Sequence, residues 1–180
     1  MRRAWLALIL LPVLALAACT GGVKSSHDVA GDLAEVYPLT EGHYRLPDVG
    51  NDEGLLLVRD DAGGYRFDDP KNPGRTDQSI RFRILAMPEL PPTNFLAQVI
   101  DAKRDRPEYT YYFVIVSAGQ IAVLSPSRYD LAALPETLKD RVSVESTDEV
   151  VVTDPSDTLA VLRTLASGRL ELMAQFIREE

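Results

Sequence analysis

The 180 residues include one cysteine, one tryptophan and two histidines. A lone thiol cannot form an internal disulfide, and Cys19, His27 and His43 do not supply the three or four ligands of an ordinary zinc centre. His27 lies in a small polar stretch and His43 stands alone beside Glu41, so neither has a base or nucleophile spaced for it. A Gly-x-Ser-x-Gly elbow, Ser-x-x-Lys, HExxH and a phosphate-cradling glycine loop are all missing. Ser117, Ser125 and Ser127 fall at predicted strand ends, where turn formation accounts for them. No catalytic residue is therefore expected. Positive charge is also scarce: 19 Lys and Arg stand against 27 Asp and Glu, a net charge of −8. A body of that sign is repelled by phosphate backbones, which argues against a nucleic-acid partner. Solenoid-period repeats and low-complexity tracts are absent.

The one long apolar run stands at the start. Arg2 and Arg3 precede Ala4 to Leu16, which is apolar almost throughout, and the small residues Ala17 and Ala18 lead to Cys19. This is the layout of a secretory signal segment, too short to cross a bilayer as a stable helix. Leu16-Ala17-Ala18-Cys19 resembles the lipobox of bacterial lipoproteins. The resemblance implies cleavage between Ala18 and Cys19, a diacylglycerol on the Cys19 thiol and a further acyl chain on the new amino group. Two or three such chains, at about 0.8 kcal/mol per buried methylene, hold a protein at a membrane for a long time. The resemblance also implies a periplasm-facing position in the cell envelope. Thr20 follows the cysteine, rather than the aspartate that retains enteric lipoproteins in the inner membrane, so the outer membrane is favoured. No other cofactor is expected. Loss of residues 1–18 leaves 162 residues with a net charge of −10, enough chain for one domain.

Residues 19–35 are small and polar (Gly21, Gly22, Lys24, Ser25, Ser26, Gly31) and read as a flexible tether of roughly 20–24 Å reach. Residues 36–180 read as a single domain. Gly42 to Leu46 is a first short strand. Leu55 to Arg59 and Tyr65 to Asp68 flank Asp60-Asp61-Ala62-Gly63-Gly64, a hairpin signal. Ser79 to Met87 alternates, with Ile80, Phe82, Ile84 and Ala86 on one face and Arg81 and Arg83 on the other. Phe95 to Ile100 follows. Tyr109 to Ser117 is β-branched or aromatic nearly throughout, which predicts a central strand covered on both faces. Gln120 to Leu124, Val142 to Val144 and Val150 to Val152 are further strands, and Ser127 to Leu138 reads as a helical segment broken at Pro135. Asp154-Pro155 opens a helix whose stripe is Leu159, Leu162, Leu165 and Ala166, ended by Gly168. Residues 169–178 fit a strand or a helix equally. The expected fold is α+β: a curved antiparallel β-meander approaching a barrel, with a C-terminal helix packed on it.

Three sets of residues are candidates for binding. Asp52, Glu53, Asp68 and Asp69 would meet at the open end of the 55–68 hairpin and could gather a hard cation such as Ca²⁺, although solvated turns collect aspartate for their own reasons. Arg81 and Arg83 could meet a carboxylate-bearing partner, with Lys103, Arg104 and Arg106 on a nearby turn. The aromatics Tyr65, Phe67, Phe82, Phe95, Tyr109, Tyr111, Tyr112 and Phe113 could line a ligand pocket or simply fill a core. Gly42-His43-Tyr44 resembles the Gly-x-Trp at the start of the first lipocalin strand, with Tyr44 in the tryptophan's place. That likeness implies a carrier of a small apolar ligand. The preferred expectation is a non-catalytic envelope binding or assembly module with a protein partner. The carrier comes second and an enzyme third.

Overall fold

The computed structural model describes residues 21–47, 54–75, 79–101, 108–126, 131, 134–145 and 149–179. Twelve strands among them form one sheet. In chain order they are β1 (Val23–Ser25), β2 (Ala34–Val36), β3 (Gly42–Arg45), β4 (Leu55–Arg59), β5 (Tyr65–Asp68), β6 (Ile80–Ala86), β7 (Asn94–Asp101), β8 (Glu108–Ser117), β9 (Gln120–Pro126), β10 (Val142–Glu145), β11 (Glu149–Val152) and β12 (Leu170–Arg178). Among the described residues, helices α1 (Glu136–Lys139) and α2 (Thr158–Ala166) flank the β10–β11 hairpin.

Strands β3 to β9 run as an antiparallel meander, and β12 pairs with both β9 and β3, closing an eight-stranded barrel. The α+β expectation of a curved meander carrying a C-terminal helix holds, and the sheet does close. Residues 169–178 resolve as a strand. They fit two periods because β12 carries a bulge: Leu172 opposes Leu124, whereas Ala174 opposes Val123. The extra residue, Met173, flips the side-chain phase. Leu170 therefore packs with Leu124 in the outer core while Ala174 and Phe176 point into the barrel.

The ten-residue strand β8 is the pivot. Its second half, Phe113 to Ser117, pairs with β9, and its first half, Tyr109 to Tyr111, pairs with β1. Through β1 the sheet continues to β11, parallel, and then to β10. This explains why both faces of β8 are apolar. Val114 faces the barrel interior, while Tyr109, Tyr111 and Phe113 face an outer core with Val161, Leu162 and Leu165 of α2. The helix starts as expected: Asp154 Oδ1 accepts the Ser156 N–H at 3.1 Å ahead of a 3-10 turn at Pro155–Asp157. Pro135 precedes α1, and Leu134 beside it is buried.

The expected tether does not hold for residues 21–35. Val23 and Val29 are fully buried and Leu33 nearly so, and the segment supplies β1, a 3-10 turn at Val29–Gly31 and the start of β2, which pairs with β6. Its glycine serves close approach rather than flexibility. A β-carbon on Gly22 would lie 2.6 Å from Thr110 Cγ2 and 2.9 Å from the Tyr112 ring. The apolar residues are isolated among small polar ones, so the segment has no period to read.

Candidate binding cleft at the mouth of the barrel

The barrel interior is filled by a stack of four aromatic rings drawn from three strands. Tyr65 stacks on Phe82 at 5.7 Å between centroids, Phe82 on Phe67 at 5.3 Å, and Phe67 on Phe176 at 5.2 Å. Leu57, Ile84 and Val114 are among the aliphatic residues packed with them. It is a packed interior, as small barrels commonly have, rather than a deep calyx. The first lipocalin-like position, Tyr44, is 2% exposed and belongs to the same core.

Residues 37–40 form a strap over one end. The Leu39 N–H donates to the Tyr65 hydroxyl at 3.1 Å, the Tyr65 hydroxyl lies 3.3 Å from the Leu39 carbonyl, and the Tyr44 hydroxyl donates to the Thr40 carbonyl at 2.8 Å. Burial raises the Tyr44 pKa, keeping that hydroxyl a donor. Tyr37 begins the strap, with the Arg59 guanidinium 3.5 Å above its ring. Against the strap opens a cavity of about 450 Å³. Its walls are Pro38 to Thr40, Pro92 and Thr93 from the β6–β7 loop, and the Ser117 to Gln120 turn, with Tyr44, Phe95, Val116 and Ile121 behind them. None of these residues is charged, in a chain that is 26% charged. The cleft is thus suited to an uncharged group of mixed polarity, with hydroxyls, the Gln120 amide and backbone to orient it.

A second feature lies on the outer wall. Tyr111 donates its hydroxyl proton to the His27 carbonyl. That hydroxyl accepts from Gln98 Nε2 at 3.0 Å and from the Val29 N–H at 3.4 Å. Gln98 Nε2 also donates to Asp28 Oδ1 at 2.9 Å. Burial pushes the Tyr111 pKa up to about 12. Burial also opposes ionisation of Asp28, but hydrogen bonds from Gln98 and the Ala30 N–H, helped by Arg83, outweigh it and hold its carboxyl below the usual range. The cluster binds residues 27–32 to the barrel wall, and a tyrosine held protonated this firmly is a poor base.

The residues singled out from sequence fall as follows. Ala18 and Cys19 lie outside the described residues, as do Asp52, Glu53, Lys103, Arg104 and Arg106. Asp68 is 2% exposed and accepts from Arg66 Nε at 3.0 Å, Ser79 Oγ at 2.6 Å and the Gly74 N–H at 3.2 Å. These donors overcome the penalty of its burial and keep its carboxyl below the ordinary range. Asp69 makes a local turn, accepting from the Lys71 N–H at 2.8 Å and Asn72 Nδ2 at 2.9 Å. Both carboxylates thus organise the β5–β6 loop. Among the described residues no group of three or more metal-ligating side chains converges. Arg81 and Arg83 do point outward, and each meets an acid of its own chain: Arg81 Nε lies 3.0 Å from Asp60 Oδ2, and Arg83 lies 3.5 Å from Asp28 and 3.8 Å from Glu35. Among the aromatics, only Phe95 and Tyr44 reach the cleft. The cleft itself was not foreseen, and only the prolines and the Ala118-Gly119 turn signal the loops around it. No helix among the described residues is long and apolar enough to cross a membrane. In comparisons with known proteins, the chain matches no family model, no curated protein and no solved structure.

Proposed function

We propose that this protein is a lipid-anchored, non-catalytic binding module of the bacterial cell envelope, facing the periplasm and favouring the outer membrane. It would receive an uncharged segment of an envelope protein in the cleft at the barrel mouth. The anchor half of this reading is supported by Leu16-Ala17-Ala18-Cys19, with the chain's sole cysteine at the position a lipobox requires. The binding half is carried by one observation, the charge-free cleft of about 450 Å³ above a filled core. A net charge of −10 after residues 1–18 favours protein over nucleic acid as the partner.

A second reading, a carrier of a small apolar ligand, is favoured by the cleft's volume, which lies in the range of small-molecule sites. The ligand would sit at the mouth, because the rings occupy the interior. Purification of the full chain from its own envelope after crosslinking, beside a Cys19→Ala form, separates the two. Enrichment of one or a few envelope proteins with the acylated form only supports the module. A copurifying lipid or other small molecule without an enriched protein moves the carrier to first place. An Ala118→Trp variant that filled the cleft yet changed neither outcome would remove the cleft from both readings.

A further inference from the structure

We propose that the protein rests on the lipid surface through the end of the barrel where β9 finishes and β12 begins, with Leu172 and Met173 against the bilayer and the cleft facing away from it. The inference rests on the reading of Cys19 as the acylated residue. Only Thr20 separates Cys19 from Gly21, where the described fold begins, and two residues fully extended span at most about 7 Å. Slack for a raised domain is therefore absent. The position of Gly21 on the body is fixed by its neighbours: a β-carbon there would lie 2.9 Å from Ser125 Oγ and 3.6 Å from Met173 Cε. Acyl chains carried by Cys19 must enter the bilayer beside these residues.

This rim carries an exposed apolar residue. Leu172 is 61% exposed, more than Val144 at 57% or Tyr37 at 46%, the other exposed large hydrophobic residues among those described. It is exposed because the bulge at Met173 turns it to the outer face, opposite Leu124. A single exposed leucine on a soluble domain needs no explanation. Its place between Glu171, the partner of Ser125, and Met173 puts it at the barrel end that carries the anchor, on the outer face of that rim, and supplies a partner for it. Glu171 lies on the alternate side of the strand and can stay in the headgroup layer. The acidic body is repelled by anionic headgroups, so the contact is an apolar one that persists on a zwitterionic bilayer and in high salt. The cleft lies at the other end. Gln120 on its rim and Ser125 beside Gly21 are five residues apart on β9, about 17 Å of strand.

Single-tryptophan reporters test this. The full chain is produced with Trp5→Phe and either Leu172→Trp or Gln120→Trp, both at exposed positions, so that each protein has one indole whatever its processing. Intact mass is measured first. Each protein is then reconstituted in phosphatidylcholine vesicles with and without brominated acyl chains, at low and high salt. The expected result is an acylated mass, at least twofold quenching of the Leu172→Trp emission by brominated lipid at both salt levels, and no quenching of Gln120→Trp. An acylated protein with Leu172→Trp unquenched, or with Gln120→Trp quenched as strongly, overturns the docking face and leaves the anchor standing. A mass showing Cys19 unmodified removes the anchor reading and this inference together.

Discussion

Replacing Tyr111 with phenylalanine isolates what fastens residues 27–32 to the barrel. The ring stays in the outer core, so no cavity opens, and the only change is the hydroxyl. Its loss deprives the His27 carbonyl of a donor and the Val29 N–H of its 3.4 Å acceptor, while Gln98 Nε2 keeps Asp28. A buried backbone group left unpaired costs about 1–3 kcal/mol, and the weak Val29 bond belongs at the low end. A loss of about 2–3 kcal/mol follows, which for a domain of this size lowers the Tm by roughly 5–10 °C. Chemical unfolding followed by far-UV circular dichroism reads the stability, and limited proteolysis should show new cuts within residues 21–36. Alkaline pH gives a second signature. The Tyr111 pKa is raised to about 12 from an unfolded value near 10, so its contribution is complete below about pH 10 and is lost as pH rises towards 12. Tyr111→Phe should lack that part of the alkaline loss. A variant within 0.5 kcal/mol of the parent, with the same proteolysis pattern, would refute the claim that this hydroxyl holds the segment down.

Other perturbations address separate parts of the fold. Gly22→Ala should cost about 1–3 kcal/mol, because its β-carbon meets Thr110 and Tyr112; a thermal melt matching the parent's would mean the segment is not seated as described. Phe67→Ala, at the centre of the ring stack, should cost about 3–5 kcal/mol by chemical unfolding, and a loss under 1 kcal/mol would mean the barrel interior is not packed. The carboxyls of Asp28 and Asp68 are held below the unfolded value, so their contribution is present above about pH 4 and disappears as pH falls through their folded values. Asp68→Asn should flatten the acid limb of a stability–pH profile; an unchanged limb would deny Asp68 that role.

Much of the barrel wall was legible in the sequence because single strands carry their own signals. Asp60 to Gly64 predicts the β4–β5 hairpin, and the turn closes with the Gly63 N–H donating to the Asp60 carbonyl at 3.0 Å. Gly64 must be glycine, since it has φ of +76° and a β-carbon would lie 2.4 Å from the Phe82 carbonyl. The two-faced apolar pattern of β8 likewise predicts a strand with cores on both sides. Elements that depend on distant partners were not legible. Strand β1 has three residues and one fully buried side chain, Val23, and its reasons for being a strand are β8, almost ninety positions away, and β11, farther still. The closing strand β12 hid behind its bulge. Arg81 and Arg83 alternate visibly, but nothing near them in sequence announces Asp60, Asp28 or Glu35 as their partners. The cleft is not visible in the sequence because three separate loops and four strands contribute to its wall, and it becomes one surface only after the barrel closes.

Site-specific photocrosslinking in the native envelope tests the central claim most directly. A photoreactive residue replaces Gln120 at the rim of the cleft in one full-length protein and Ser143 on the exposed strand β10 in another. The expected result is a discrete adduct from position 120 only, abolished when Ala118→Trp fills the cleft and Cys19 remains acylated. An adduct from position 143 alone, or one from position 120 that persists with Ala118→Trp, would contradict the cleft as the binding site.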